Sequence, residues 1–171
     1  MVGSEKYTFK LEWMHRLREF FDTHYDKGTP VLLCGDFNVA PADADVWDPR
    51  ACHGGTHVSG PEREAFARLC RWGLVDAYRQ HHPEPGRYTW WDYRSGNFHK
   101  NFGMRIDHLL ATRPLAGRTL WAEIDREARK GKPTPSDHAP LLIDVDRPGS
   151  PLDAGWTSAE GRIATRRGEP A

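Results

Sequence analysis

The 171-residue sequence has no net charge, because 24 Lys and Arg stand against 24 Asp and Glu. An overall basic field, the simplest sign of a nucleic-acid binder, is therefore absent. Long hydrophobic runs are missing too. No apolar stretch approaches the roughly 20 residues that a membrane-spanning helix requires, so no membrane partner is expected. The opening residues Met1-Val2-Gly3-Ser4-Glu5-Lys6-Tyr7-Thr8 hold no apolar segment of the signal-peptide kind. Cysteine is scarce, odd in number and widely spaced, at Cys34, Cys52 and Cys70. That pattern argues against a disulfide framework, and no Cys-x-x-Cys pair points to structural zinc. A reducing, cytoplasmic location is expected. There is no internal repeat.

What is present is one domain's worth of residues. Hydrophobic residues make up 38%, enough for a core, and 16 Gly with 13 Pro imply many loops. Seven Trp promise a heavy aromatic core or rings that stack on a ligand. The balanced charge conceals an asymmetry: residues 1–85 carry 10 basic and 13 acidic side chains, residues 86–171 carry 14 and 11. A polyanion would meet the second part first.

Leu11, Met14, Leu17 and Phe21 recur at helical spacing, and Phe9, Trp13 and Phe20 widen the stripe, predicting a helix over about 7–25 closed by Gly28. Val31–Cys34 reads as a buried strand ending in Gly35-Asp36-Phe37-Asn38. After a loop over 39–60, Ser59-Gly60-Pro61-Glu62 opens a second helix that stops near Gly73. A short helix is expected around 75–82, then a β-prone aromatic segment, Arg87–Arg94. Met104–Leu110, Leu120–Ile124 and Leu141–Val145 read as strands, with a basic connection over Arg126–Lys132. From about Asp146 the pattern dissolves into Pro, Gly, Ser, Arg and Glu, so the domain is expected over 1–146 and a disordered tail over 147–171.

Three strands share one design, an acid at or beside one end: Asp36, Asp107 and Asp137. Burying a carboxylate is costly unless it is paired, hydrogen-bonded or bound to metal. Asp36 and Asn38 are two apart, so on an extended segment they point the same way. Asp137 and His138 are neighbours and point apart on a strand, which leaves His138 to be oriented by another acid such as Asp107. An imidazole held by a carboxylate is a common catalytic unit. Taken singly, each has an ordinary role. Asp36 and Asn38 are turn residues, Asp107 is a salt-bridge partner of Arg105 or His108, and His138 is structural. Asp76 reads as a helix cap and Cys34 as a core residue. The rings of 88–93 are mostly packing, with an exposed Trp able to stack on a base. Arg94, Lys100 and Arg105 follow closely, and Arg126, Arg129, Lys130 and Lys132 precede the third acid, where they would meet phosphate.

In combination, Gly35-Asp36-Phe37-Asn38, Arg105-Ile106-Asp107 and Ser136-Asp137-His138-Ala139-Pro140 resemble the endonuclease/exonuclease/phosphatase superfamily. Trp72–Asp76, Tyr88–Arg94, Gly103–Asp107 and the opening Val2–Tyr7 with Lys10-Leu11 are similar to the exonuclease III group of abasic-site DNA repair nucleases. The likeness runs from about residue 2 to Val145. It implies an α/β fold, the C-terminal half of a four-layer αββα (DNase I-like) sandwich, with a mixed sheet carrying helices on one face. It implies hydrolysis of DNA phosphodiesters with Mg²⁺ or Mn²⁺, leaving a 3′-hydroxyl, on double-stranded DNA with abasic sites or 3′ ends.

The same likeness implies the roles. Asp36 activates or orients water, Asn38 holds the phosphate, Asp107 orients His138, and His138 stabilises charge on the phosphate. Asp36, Asn38, Asp137 and His138 surround the metal. Trp90, Arg94, Arg105 and Lys130 meet DNA, with Trp90 lining the pocket for an abasic sugar. Relatives of this kind are longer, and their first half supplies an Asn, a metal-binding Glu and a Tyr with no counterpart here. Impaired activity, an uncovered apolar face on strands 31–34, 106–110 and 141–145, and a separately encoded N-terminal half as partner are therefore expected. Two rival readings are another phosphodiesterase of the superfamily, acting on a lipid or nucleotide phosphate, and a non-catalytic nucleic-acid-binding protein on the same scaffold.

Overall fold

Ser4 opens the first helix by accepting a hydrogen bond from the Tyr7 amide at 3.3 Å, which pairs one of the otherwise orphaned N–H groups of the first turn. In the computed structural model, which describes residues 1–149 and 151–160, this helix, α1, spans Glu5–His24. The strands β1 (Leu32–Asp36), β2 (Leu74–Asp76) and β3 (Asp107–Thr112) form a sheet in the order β1-β3-β2. Register places Leu33 opposite Leu110 and Asp36 opposite Asp107. Side chains alternate across a strand, so Leu33 and Leu110 share a face. Met14 and Phe21 of α1, with Phe66 and Leu69 of α3 (Gly60–Cys70), pack on that face together with Trp72. Ser59 and Glu62 form the expected capping box at the start of α3.

The opposite face of β1 is open. Leu32 is 40% exposed and Cys34 is exposed, so Cys34 is not the core residue expected from an unbroken apolar run. This chain covers only the Leu33 side of the strand. Leu142 of β5 (Leu141–Val145) is likewise 37% exposed. The expected uncovered face stops there, because Ile106, Leu109 and Leu110 are all buried.

Residues 75–82 differ from the single helix expected. Leu74 and Val75 find ladder partners in Thr112 and Ala111, so tertiary pairing makes β2, and helix α4 (Ala77–His81) follows. Arg87–Arg94 forms no regular strand. It crosses the molecule with Trp90 bridging both Met104 and His138. Strand β3 starts later than Met104 because the preceding residues are engaged elsewhere: the Arg105 amide donates to Asp45 O at 2.8 Å, and the Ile106 and Asp107 amides donate to Thr89 Oγ1. Gly103 allows the close crossing, since a Cβ there would sit 2.5 Å from Trp91 Nε1 and 2.8 Å from the Trp90 carbonyl. Strand β4 (Thr119–Ile124) pairs with β5 in a second sheet. Each ladder among the described residues is antiparallel rather than mixed, because each strand's bonded neighbour runs the opposite way. Single-turn helices α2 (Pro49–Cys52), α5 (Asn97–Lys100) and α6 (Arg113–Ala116) fill the connections.

The expected disordered tail is corrected over 151–160. Ala154, Trp156 and Ala159 are buried against Tyr78, Trp91 and Phe98. Trp156 is 4% exposed, and its indole donates to Ile124 O at 2.8 Å. A composition rich in Pro and Gly conceals one large ring that fits an aromatic pocket. Residues 161–171, also assigned to the tail, lie outside the described residues. No helix among the described residues is long and apolar enough to cross a membrane.

Candidate active site

Pairing of β1 with β3 sets Asp36 opposite Asp107 at the sheet's end. The chain then turns sharply at Asn38, which has φ +53°, a left-handed conformation that Asn tolerates better than most residues. Its amide donates to Asp36 Oδ1 at 2.8 Å and its side-chain Nδ2 donates to Asp36 Oδ2 at 2.7 Å. The pair that sequence spacing placed on one side is thus locked together through a turn, not along a strand.

His138 arrives from the turn before β5 and is held beside Trp90 by a backbone bridge. Its Nδ1 lies 2.8 Å from Asp107 Oδ2. A carboxylate only accepts, so Nδ1 carries the proton. Nε2 then faces Asp36, 4.0 Å from its Oδ2. The hydrogen bond to Asp107 raises the His138 pKa above the ordinary imidazole value; charges on Asp107, Asp36 and Asp137 add to it and outweigh burial. The imidazolium form is thus more favoured than in a free imidazole, which suits contact with an anion. Asp107 is anchored in turn by its own amide, which donates to Thr89 Oγ1 at 3.1 Å.

Asp36, Asp107 and His138 each offer one ligand atom, all within 4.8 Å of one another. Two hard carboxylates beside an imidazole fit a divalent cation. Asp137 does not join this group. Its Oδ2 accepts the Trp90 indole Nε1–H at 2.9 Å. The expected set therefore converges at Asp36, Asn38, Asp107 and His138, while Asp137 is turned to the half-buried Trp90.

The expected DNA-facing residues divide. Arg94 is exposed and forked onto Asp92, and Lys130 is exposed and 2.5 Å from Glu127 Oε2. Arg105 is a correction. It is 1% exposed, with Nε on Asp45 Oδ1 and Nη1 on Asp76 Oδ2, each at 2.7 Å. It cannot reach a phosphate, because two acids from other segments hold it in the core. Nη1 also donates to His108 Nδ1 at 3.0 Å, and His108 Nε2 reaches Val39 O at 2.8 Å. Asp76 caps α4, as expected, and also serves this ion network. Arg126 and Arg129, expected to meet phosphate, are buried, stacked over the Phe98 ring at 4.0 and 5.0 Å. Sequence reading gave Asp45 and His57 no role, and took Lys10 only as part of the family-like opening segment. It read Glu62 as a helix-start signal alone, although the same carboxylate lies behind Asn38.

The profile of the Endonuclease/Exonuclease/phosphatase family matches residues 2–138. An exodeoxyribonuclease of Bacillus subtilis is 34% identical over 145 residues, which is 84% of this chain and 55% of that protein. Exodeoxyribonuclease III of Haemophilus influenzae is 34% identical over 146 residues, 81% of this chain and 54% of that one. Among solved structures, a 3′-5′ exonuclease from Neisseria meningitidis superposes with a TM-score of 0.81 at 40% identity, covering 85% of this chain and 57% of the other. An AP endonuclease from Archaeoglobus fulgidus gives a TM-score of 0.81 at 36% identity, with coverages of 85% and 57%. The chain spans about half the length of the relatives it matches. With its α/β fold of the DNase I-like type and these matches, the chain belongs to the endonuclease/exonuclease/phosphatase family, in its exonuclease III group.

Proposed function

We propose that this chain supplies one half of a metal-dependent DNA phosphodiesterase site of the exodeoxyribonuclease III and abasic-site endonuclease kind. The observation that carries the reading is the convergence of Asp36, Asn38, Asp107 and His138 within hydrogen-bond or ion-pair reach. Phosphate ester cleavage needs positioned water and neutralised charge on the phosphate oxygens. Asp36 orients the water, and the Asn38 amide and the His138 imidazolium hold the phosphate. Asp107 fixes the His138 tautomer. Asp36 and Asp107 are the carboxylates that would hold Mg²⁺ or Mn²⁺, with Asn38 and His138 adjoining, while Asp137 stays bonded to the Trp90 indole. Such an ion, when bound, neutralises phosphate charge and makes water a better nucleophile. Trp90, beside His138, lines a pocket for an abasic sugar, and Arg94 and Lys130 steer the duplex. The substrate is double-stranded DNA with abasic sites or 3′ ends. The domain, which takes in the packed segment 151–160, is the C-terminal half of the sandwich, and a second polypeptide carrying the other half is the partner. The cytoplasm is the expected location, in keeping with three free thiols.

The test is incubation with an abasic duplex and Mg²⁺, with and without a supplied N-terminal half from a relative. Nicking that leaves a 3′-hydroxyl supports the reading. Turnover of a lipid phosphodiester with DNA untouched favours a different phosphodiesterase, and DNA binding without cleavage in either arm favours a binding protein.

A further inference from the structure

Behind the catalytic turn, side chains from two segments meet on one atom. The Asn38 carbonyl accepts from Lys10 Nζ at 2.8 Å and from His57 Nδ1 at 2.8 Å. Lys10 belongs to α1, and His57 to the loop before α3. Both are tied to one carboxylate on α3, that of Glu62. Lys10 Nζ donates to Glu62 Oε1, and the His57 amide donates to the same oxygen at 3.2 Å. The other oxygen accepts from the Ser59 amide at 3.1 Å and the Ser59 hydroxyl at 2.5 Å, and Tyr7 Oη lies 2.8 Å from that hydroxyl. Glu62 is wholly buried. Burial pushes its carboxyl up, but the bonds from Lys10 and Ser59 outweigh this and hold it below the usual carboxylate range. It is therefore a buried anion facing a cation.

The chain geometry at the meeting point is unusual. Asn38 has φ +53° and His57 has φ +80°, and neither is glycine. Such conformations persist only where surrounding contacts hold them. A capping box by itself requires Ser59 and Glu62 alone. Here the acid is also reached from α1 by a cation whose other bond goes to the main chain of Asn38.

We propose that Lys10, Glu62 and His57 are positioning residues that grip the Asn38 carbonyl, so that its side-chain amide stays aligned with Asp36. The grip is a matter of geometry; its effect on catalysis rests on the nuclease reading given above. Lys10→Met removes the cation, and Lys10→Arg retains it. The first readout is backbone amide exchange of Asn38 in the full chain, since that N–H bonds Asp36 Oδ1. Far-UV circular dichroism and the Leu110 amide report on the fold. In Lys10→Met, Asn38 exchange speeds up about tenfold while Leu110 stays protected, and Lys10→Arg restores the wild-type rate. Unchanged Asn38 exchange in a folded Lys10→Met protein overturns the proposal. Should Lys10→Met fail to fold, Glu62→Gln carries the same readout, faster Asn38 exchange supporting the grip and an unchanged rate overturning it.

In the complemented cleavage assay, Lys10→Met lowers kcat with KM unchanged, and Lys10→Arg recovers it. A raised KM with kcat intact overturns the positioning role, because it shows Lys10 touching substrate directly. Wild-type protein that never cleaves DNA, yet loses Asn38 protection in Lys10→Met, removes the nuclease reading and leaves the grip standing.

Discussion

At the scale of single residues, Asp107 and His138 form the unit on which the proposed chemistry turns. The 2.8 Å bond from Nδ1 fixes the tautomer and raises the imidazole pKa. Replacing His138 by Ala, or Asp36 by Asn, is expected to lower complemented cleavage by at least about 10²–10⁴-fold, the usual size of a lost acid–base or charge-stabilising group. Wild-type rates in a steady-state nicking assay would refute either assignment. Arg105 leads to a different expectation. Arg105→Met leaves the half-buried Asp76 without its arginine and the buried Asp45 with Arg79 alone, and should cost about 3–5 kcal/mol in urea unfolding, whereas a DNA-contact residue would change affinity and salt dependence instead. The same acids set a pH dependence. Burial pushes both carboxyls up, but Arg105 with Arg79 at Asp45, and Arg105 with His108 at Asp76, outweigh it and hold both below the usual range. Depressed folded-state values mean stability that is complete above the unfolded value of about 3.9 and is lost as the pH falls below it. Urea midpoints measured from neutral pH into acid should drop below about pH 4, and less steeply in Asp76→Asn, which starts from a lower midpoint.

Elements show what local sequence does and does not reveal. The acid-bearing strand ends and the α3 capping box were legible because each is written within a few adjacent residues. The role of Arg105 was not, since its partner Asp45 lies 60 residues away and only the folded chain brings them together. β2 was hidden for a similar reason: Leu74 and Val75 become a strand by pairing with β3. The segment over 151–160 shows the same limit. Polar, breaker-rich surroundings masked Trp156, which packs at a tilt against Trp91 and is overlain by Arg126 and Arg87. Trp156→Ala should cost about 3–5 kcal/mol, as for other buried large-to-small changes. A loss under about 0.5 kcal/mol, the size of an ordinary surface substitution, would return the segment to the status of a tail.

Across the whole molecule, the uncovered side of β1 and Leu142 of β5 leave apolar side chains exposed on both sheets, in a chain that spans about half the length of the relatives it matches. Leu32→Asp should abolish complementation while leaving the unfolding midpoint within about 0.5 kcal/mol, because Leu32 is already largely in water here. Sedimentation of the two halves together reads the loss directly. On the proposed function, Asp36, Asn38, Asp107 and His138 are one part of a site shared with a second segment. Its most direct test is the rate of abasic-duplex cleavage with Mg²⁺ as an N-terminal half is titrated into this chain. The rate should rise from near zero, saturate at equimolar halves, and vanish with Asp36→Asn. A rate that ignores the added half, or that survives Asp36→Asn, would contradict it.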